Sequence, residues 1–346
     1  MSNGRAYAWV HRAWYEGAAL GWLLLPLSGI FRVLLSLRRF LYAKGLLSVY
    51  RAEVPVIVVG NITAGGAGKT PTVLWLVEQL RRRGFRPGIV SRGYGGSRAD
   101  TSMRVEADSD PAIVGDEPVL LARRAACPVV VDPDRARAAQ MLVEDGADVI
   151  VADDGLQHYR LARDYEICVI DGARGLGNRH LLPAGPLRES PDRLASVDQV
   201  LVNGGWADGN AAMSAPEQNA IPFRLAATDA CRLNGSLSRP LARFAGETVH
   251  AVAAIGNPDR FFRLLNEFGI EVVAHPYPDH APLTKSDVDF GDECPVFMTE
   301  KDAVKLGTGL GDRFWFVPVD LDMDPALAGP LVAQIESRLN SVRKAQ

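Results

Sequence analysis

Cysteine is scarce in this chain of 346 residues, and Cys127, Cys168, Cys231 and Cys294 stand far apart, none in a C-x-x-C pair. That spacing argues against a zinc site or a disulfide framework. It fits a reducing compartment, with the four thiols as small core residues. An excess of one charge is missing too. Lys+Arg 38 against Asp+Glu 41 leaves a net charge of −3, which excludes electrostatic attachment of the whole molecule to nucleic acid. No apolar run reaches the ~20 residues that a membrane-spanning helix needs. The longest, Ala18–Phe31, is interrupted by Pro26 and closed by Arg32. Internal repeats and low-complexity tracts are absent. What remains is a chain of ordinary globular composition, long enough for two domains.

One stretch organises the rest. Val54–Gly60 (VPVIVVG) is an unbroken apolar run, as expected of a strand covered on both faces. It leads into Asn61–Thr70 (NITAGGAGKT) and then into the amphipathic run Pro71–Arg83. Strand, glycine-rich loop and helix in that order predict a phosphate-binding loop at residues Thr63, Ala64, Gly65, Gly66, Ala67, Gly68, Lys69 and Thr70. The glycines let successive N–H groups turn inward, Lys69 reaches the β/γ-phosphates, and Thr70 offers its hydroxyl to Mg²⁺. Thr63 stands where the G-x-x-x-x-G-K-[ST] pattern has its first glycine.

Strand and helix patterns alternate from there to about Val202. The expected fold class is α/β: a P-loop NTPase-like, doubly wound, mainly parallel sheet with ligands at the carboxyl ends of its strands. The strand Val149–Ala152 runs into Asp153-Asp154, the Walker-B arrangement that sets a carboxylate beside a nucleotide-bound Mg²⁺. His158, in the loop that follows, reads equally as a site residue or as a hydrogen-bonded loop residue. Asp116-Glu117-Pro118 opens a helix, where an acid cap is the plain explanation. Arg188 and Glu189 end a proline-stiffened loop, Leu182–Glu189, and the arginine suits a phosphate or carboxylate. Thr284-Lys285-Ser286-Asp287 matches a guanine-reading pattern as a string, but no apolar strand precedes it and no D-x-x-G marks a strand end. Thr284 reads instead as the cap of a short helix.

The polar link Gly204–Gln218 suggests a boundary. The expected organisation is an N-terminal segment 1–50, a phosphate-loop domain 51–218 and a smaller α/β domain 219–346 that closes the cleft. The first segment carries Trp9, Trp14, Trp22 and seven Arg or Lys before Glu53, against the single acid Glu16. Ile30, Leu34, Leu37 and Leu41 recur at helical spacing. Such a segment either packs on the core or lies in a membrane interface, and the basic, tryptophan-bearing pattern favours the interface.

Taken in order, GNITAGGAGKTP (Gly60–Pro71), SRGYGG (Ser91–Gly96), VGDEP (Val114–Pro118), ADDGLQH (Ala152–His158), LPAGPLRE (Leu182–Glu189), YPDH (Tyr277–His280) and TEKDAVK (Thr299–Lys305) resemble the tetraacyldisaccharide 4′-kinases of lipid A biosynthesis. The resemblance extends over both domains, and its phosphate loop has threonine where Thr63 stands. It implies phosphorylation of the 4′-hydroxyl of a tetraacylated glucosamine disaccharide 1-phosphate, with ATP and Mg²⁺. It also implies a peripheral enzyme on the cytoplasmic face of a bacterial inner membrane, with the lipid and the membrane surface as partners and no obligate protein partner. By motif, Lys69 and Thr70 serve the phosphates and metal, with Asp153, Asp154 and Glu117 around the ion. Asp116 and His280 form the base and its partner across the cleft, and Arg92, His158, Arg188 and Glu189 stand on the substrate side. Where the family's loop often has a second histidine after PDH, this chain has Ala281. The alternative from another class is a membrane-tethered P-loop hydrolase acting as a switch, which the missing D-x-x-G disfavours.

Overall fold

A computed structural model describes residues 12, 14–15, 20–97, 101–206 and 220–345. Arg5, Trp9, Glu16 and all but the first few residues of the link Gly204–Gln218 lie outside them. After a single helical turn, Leu20–Leu23, comes helix α1 (Leu25–Ala43), with Pro26 in its first turn, where a missing N–H costs no hydrogen bond. The proline that breaks the apolar run in the sequence therefore starts the helix.

The chain then builds β1 (Val56–Gly60), α2 (Lys69–Arg82), β2 (Pro87–Ser91), β3 (Met103–Arg104) and α3 (Asp116–Arg124). β4 (Val129–Val131), α4 (Arg135–Glu144), β5 (Val149–Asp153), β6 (Tyr165–Asp171), β7 (Gln199–Asn203) and β8 (Ala220–Ala226) complete the first unit's run. The second unit contributes β9 (Asp229–Arg232), β10 (Ser238–Pro240), β11 (Thr248–Ala253), α5 (Pro258–Glu267), β12 (Glu271–Pro276), β13 (Val296–Thr299), α6 (Glu300–Leu306) and β14 (Phe314–Val317). β15 (Asp320–Asp322) and α7 (Pro325–Ala345) end the chain.

The first sheet has nine strands in the order β15-β8-β7-β6-β1-β5-β2-β4-β3. Only its outer pairs, β15 with β8 and β3 with β4, are antiparallel. β1 sits at its centre between β5 and β6, with Val59 opposite Asp153. The loop after β1 and the acids after β5 thus leave the sheet side by side. β1, β2 and β5 are buried at every residue, which is why they read as continuous apolar runs. The second sheet runs β10-β9-β14-β13-β11-β12, and its last four strands are parallel.

The structure departs from the expected division at residue 218. β8 and β15 pair with each other at the edge of the first sheet. α7 buries Leu331, Ile335 and Leu339 in the core around β1, β2 and β5. The second unit is an insertion between β8 and β15, and the chain returns to the first unit to finish. A three-residue strand carries too short a pattern to announce that return in the sequence. Thr284 is indeed a cap: it forms a capping box with Asp287 on a short 3₁₀ turn, Lys285–Val288.

α1 is attached along one side only. The buried Ser28 hydroxyl donates to the Leu181 carbonyl at 2.7 Å and accepts from Ala184 N–H at 2.9 Å, while Phe31 packs against the core beneath. Leu27, Ile30, Val33, Leu34, Leu37 and Phe40 are each more than half exposed. No helix among the described residues is long and apolar enough to cross a membrane.

Candidate active site

The loop after β1 is braced from the side. Ala64 N–H donates to Pro186 O at 2.7 Å, Arg188 N–H to Ile62 O at 2.7 Å, and Thr63 bridges Leu187 as an antiparallel pair. Thr63 is thus held in a short bridge at a negative φ, and no glycine is needed there. Gly68, by contrast, has a φ of 101°, and a Cβ on it would lie 2.9 Å from Asn203 Nδ2. It opens directly into α2, whose first turn carries Lys69 and Thr70 beneath free backbone N–H groups.

Three carboxylates converge beside this loop. Asp153, at the end of β5, accepts from Ser91 Oγ at 3.1 Å. Burial pushes its carboxyl up to about 7, helped by the neighbouring charges of Glu117 and Asp154. Burial would raise Asp154 as well, but Lys69 (3.6 Å) and Arg188 (2.9 Å) outweigh it and hold that carboxyl well below its ordinary range. For Glu117, burial is likewise outweighed by Lys301, 3.0 Å away, and then by Lys69. Hard oxygen donors crowded until one resists ionisation suit a Mg²⁺ ion, and Thr70, Asp153, Asp154 and Glu117 would hold it.

The expected pairing across the two units is present. His280, following β12, has Nδ1 3.4 Å from Asp116 Oδ1 at the start of α3. Burial would lower the imidazole, but its hydrogen bond to Asp116 outweighs that and raises it. Burial would raise Asp116, yet His280 and then Lys301 hold it at about 2. Tyr94 presents its ring edge-on to His280 at a centroid distance of 5.0 Å. Asp154 and His280 both have positive φ (47° and 59°), a strained conformation that non-glycine residues keep where the surroundings impose it.

These groups line one cleft of about 1030 Å³ between the two units. His280, Glu117, Arg92, His158 and Arg188 face it, as do Gly65 to Thr70. Asp116 stands just behind His280, 7% exposed. His158 is kept neutral: burial first, then the nearby Arg135 and Arg163, push its imidazole down to about 3. Glu189 does not reach the cleft. It is fully buried and holds Gln157 Nε2 at 2.7 Å and the Tyr159 hydroxyl at 2.6 Å, so that it positions Gln157 of the cleft wall instead of touching a substrate.

Two basic residues enter that no single-residue reading had singled out. Lys301, at the start of α6, lies within 4 Å of Glu117, Asp279 and His280 and so ties the metal-side acid to the histidine. Its only signal in the sequence was membership of the TEKDAVK run. Arg135, 5% exposed, donates to the backbone carbonyls of Asp153 and Asp154 at 3.2 and 2.9 Å and fixes the turn that aims them. As a helix-starting arginine it carried no signal.

A phosphate loop opening a helix, a Walker-B strand beside it and a carboxylate–histidine pair facing it across a cleft define a P-loop phosphotransferase. The comparisons with known proteins give the family. The profile of the tetraacyldisaccharide-1-P 4′-kinases matches residues 20–336, and this chain belongs to that family. It is 51% identical to the tetraacyldisaccharide 4′-kinase of Alkalilimnicola ehrlichii, over 92% of this chain and 93% of the relative. To that of Nitrosococcus oceani it is 46% identical, over 96% and 95% of the two chains. The crystal structure of LpxK from Aquifex aeolicus in complex with ATP superposes with a TM-score of 0.75 at 27% identity, covering 92% of this chain and 99% of that one.

Proposed function

We propose that this protein transfers the γ-phosphoryl group of ATP to the 4′-hydroxyl of a tetraacylated glucosamine disaccharide 1-phosphate at the cytoplasmic face of the inner membrane. One observation carries the reading. The cleft that holds the phosphate loop, the acids and His280 is continuous with Phe31, Leu34, Leu35 and Arg38 of α1, whose apolar face is exposed. A headgroup can meet the nucleotide at the inner end while its acyl chains stay beside α1.

Within that cleft Lys69 and the N-terminus of α2 hold the transferred phosphoryl, and Mg²⁺, when bound, neutralises phosphate charge beside Asp153 and Asp154. Arg188, anchored on Asp154, and Arg92 lie where anionic groups of either substrate would pass. The Asp116–His280 pair takes the proton of the attacking hydroxyl. The direct test is incubation of the detergent-solubilised protein with labelled ATP and the disaccharide precursor. Transfer of label to the lipid supports the reading, and hydrolysis of ATP unaffected by the lipid favours the membrane-tethered switch.

The membrane role of α1 makes its own prediction. Changing Ile30 and Leu37 to glutamate places two charges on the exposed face without touching Ser28 or Phe31. The double variant is expected to leave the pellet in a sedimentation assay with anionic vesicles, whereas the parent stays bound. High salt should loosen the parent only partly, since Arg and Lys near a surface contribute about 1 kcal/mol each and buried side chains the rest. A variant that still sediments shows that α1 is not the contact.

The approach of the second unit to the phosphate loop makes another. A Cβ on Gly256, in the turn after β11, would lie 2.4 Å from Gly66 N. Gly256→Ala must therefore push the two apart, and ATP affinity is expected to fall about tenfold, or ~1.4 kcal/mol, by calorimetry. Unchanged affinity would mean that this turn takes no part in nucleotide binding.

A further inference from the structure

The cysteine pattern counts against a zinc site in the sequence, and the fold brings together what the sequence keeps apart. Only Cys168 is a buried core thiol; Cys294 is half-buried, in the loop that enters β13. β11 and β13 are parallel neighbours, and His250 N–H donates to Pro295 O at 3.0 Å. That register sets Asp292 and Cys294 beside His250. One donor atom from each of the three lies within 4.8 Å of the other two.

The imidazole is held as a metal-binding histidine usually is. His250 Nε2 points at Asp292 Oδ2, 2.9 Å away, and its other nitrogen, Nδ1, is 2.9 Å from His275 Nε2. Phe290 stacks against both rings, at 4.2 Å from His250 and 4.0 Å from His275. With Nδ1 engaged by His275, Nε2 is the nitrogen left to face Asp292 and Cys294. Among the described residues the Cys294 thiol has no hydrogen-bond partner, and its backbone N–H donates to Asp292 Oδ1 at 3.0 Å, fixing the turn.

We propose that His250, Asp292 and Cys294 bind one zinc-class divalent cation, with water completing the shell on the exposed side of Asp292. A nitrogen, oxygen and sulfur set selects zinc over magnesium. Donor atoms around a tetrahedral zinc ion stand about 3–4 Å apart, so small side-chain rotations suffice. Binding exchanges the thiol proton for the metal: the Cys294 S–H bond breaks, an S–metal bond forms, and the proton passes to solvent. The site lies at the amino ends of β11 and β13, whereas His280 and Lys301 follow the carboxyl ends of β12 and β13. Its work is to staple the loop before β13 to the sheet, apart from phosphoryl transfer.

Cobalt(II) is the probe, because a thiolate ligand gives it a near-ultraviolet charge-transfer band that carboxylate sites do not produce. The full chain, stripped with chelator and titrated with cobalt without nucleotide, is expected to develop this band at one equivalent and to lose it when zinc is added. Cys294→Ser should abolish the band, and His250→Ala should weaken zinc binding at least tenfold in equilibrium dialysis. Cys231→Ser should change neither. Zinc should raise the melting temperature of the parent but not of Cys294→Ser. If no band appears, or if Cys294→Ser keeps it, His250 and Asp292 form an ion pair and nothing more.

Discussion

Replacing Lys69 by alanine is expected to reduce phosphoryl transfer by about 10³-fold or more while the protein stays folded. The structure supplies both halves of that expectation. The Lys69 ammonium is 3.6 Å from Asp154, in the loop where the β/γ-phosphates must lie, so its loss removes charge stabilisation as the bond breaks. Its removal does not strand the acid, because Arg188 holds the same carboxylate at 2.9 Å. Val73, Leu76, Val77 and Leu80 are the apolar residues by which α2 is buried, and Lys69 is not among them. Melting temperature should therefore change little while turnover collapses. Turnover near that of the parent would show that residues 63–70 form a turn and not a phosphate site. A matching fall in stability would show that the ion pair, and not the chemistry, accounts for the loss.

What the sequence could show depended on whether the chemistry sat in consecutive residues. The phosphate loop, the Asp153-Asp154 pair and the parallel sheet were legible because each is a short run with its own physical pattern. The strands of the first unit carried it most clearly, since burial on both faces left them no polar alternation. The division into units was not legible at its far end. β15 is three residues long, and α7 mixes Leu331, Ile335 and Leu339 with enough polar residues to pass for any surface helix. Arg135 and Lys301 act through the places to which their helices carry them, and a helix-starting Arg or Lys looks the same wherever it goes. Glu189 failed in the opposite sense. Its motif was visible, but only packing reveals that the carboxylate turns inward to Gln157 and Tyr159. Thr63 likewise needed the bridge to Leu187 before its place in a glycine position had a reason.

The Asp116–His280 pair gives the second large effect. Its members come from different units, and the fold brings Oδ1 and Nδ1 to 3.4 Å. His280 faces the cleft with Asp116 behind it, and Lys305 lies 3.7 Å from the far carboxylate oxygen. A hydroxyl that attacks a phosphoryl group must lose its proton, and a positioned acid–base group contributes about 10²–10⁴-fold. Asp116→Ala and His280→Ala are each expected to lower turnover by about that much. Groups that act as a unit lose activity non-additively, because once one is gone the other has little left to do. The double variant should therefore be little worse than the more damaged single. ATP affinity should hold nearly constant in all three, since neither residue is assigned to the phosphates. The measurement is a double-mutant cycle on turnover at saturating ATP and lipid, with melting temperatures alongside. Losses that multiply would mean two residues working independently, with the 3.4 Å contact incidental. A harmless His280→Ala would leave proton acceptance to Asp116 alone and reduce His280, despite its strained backbone, to a wall of the cleft.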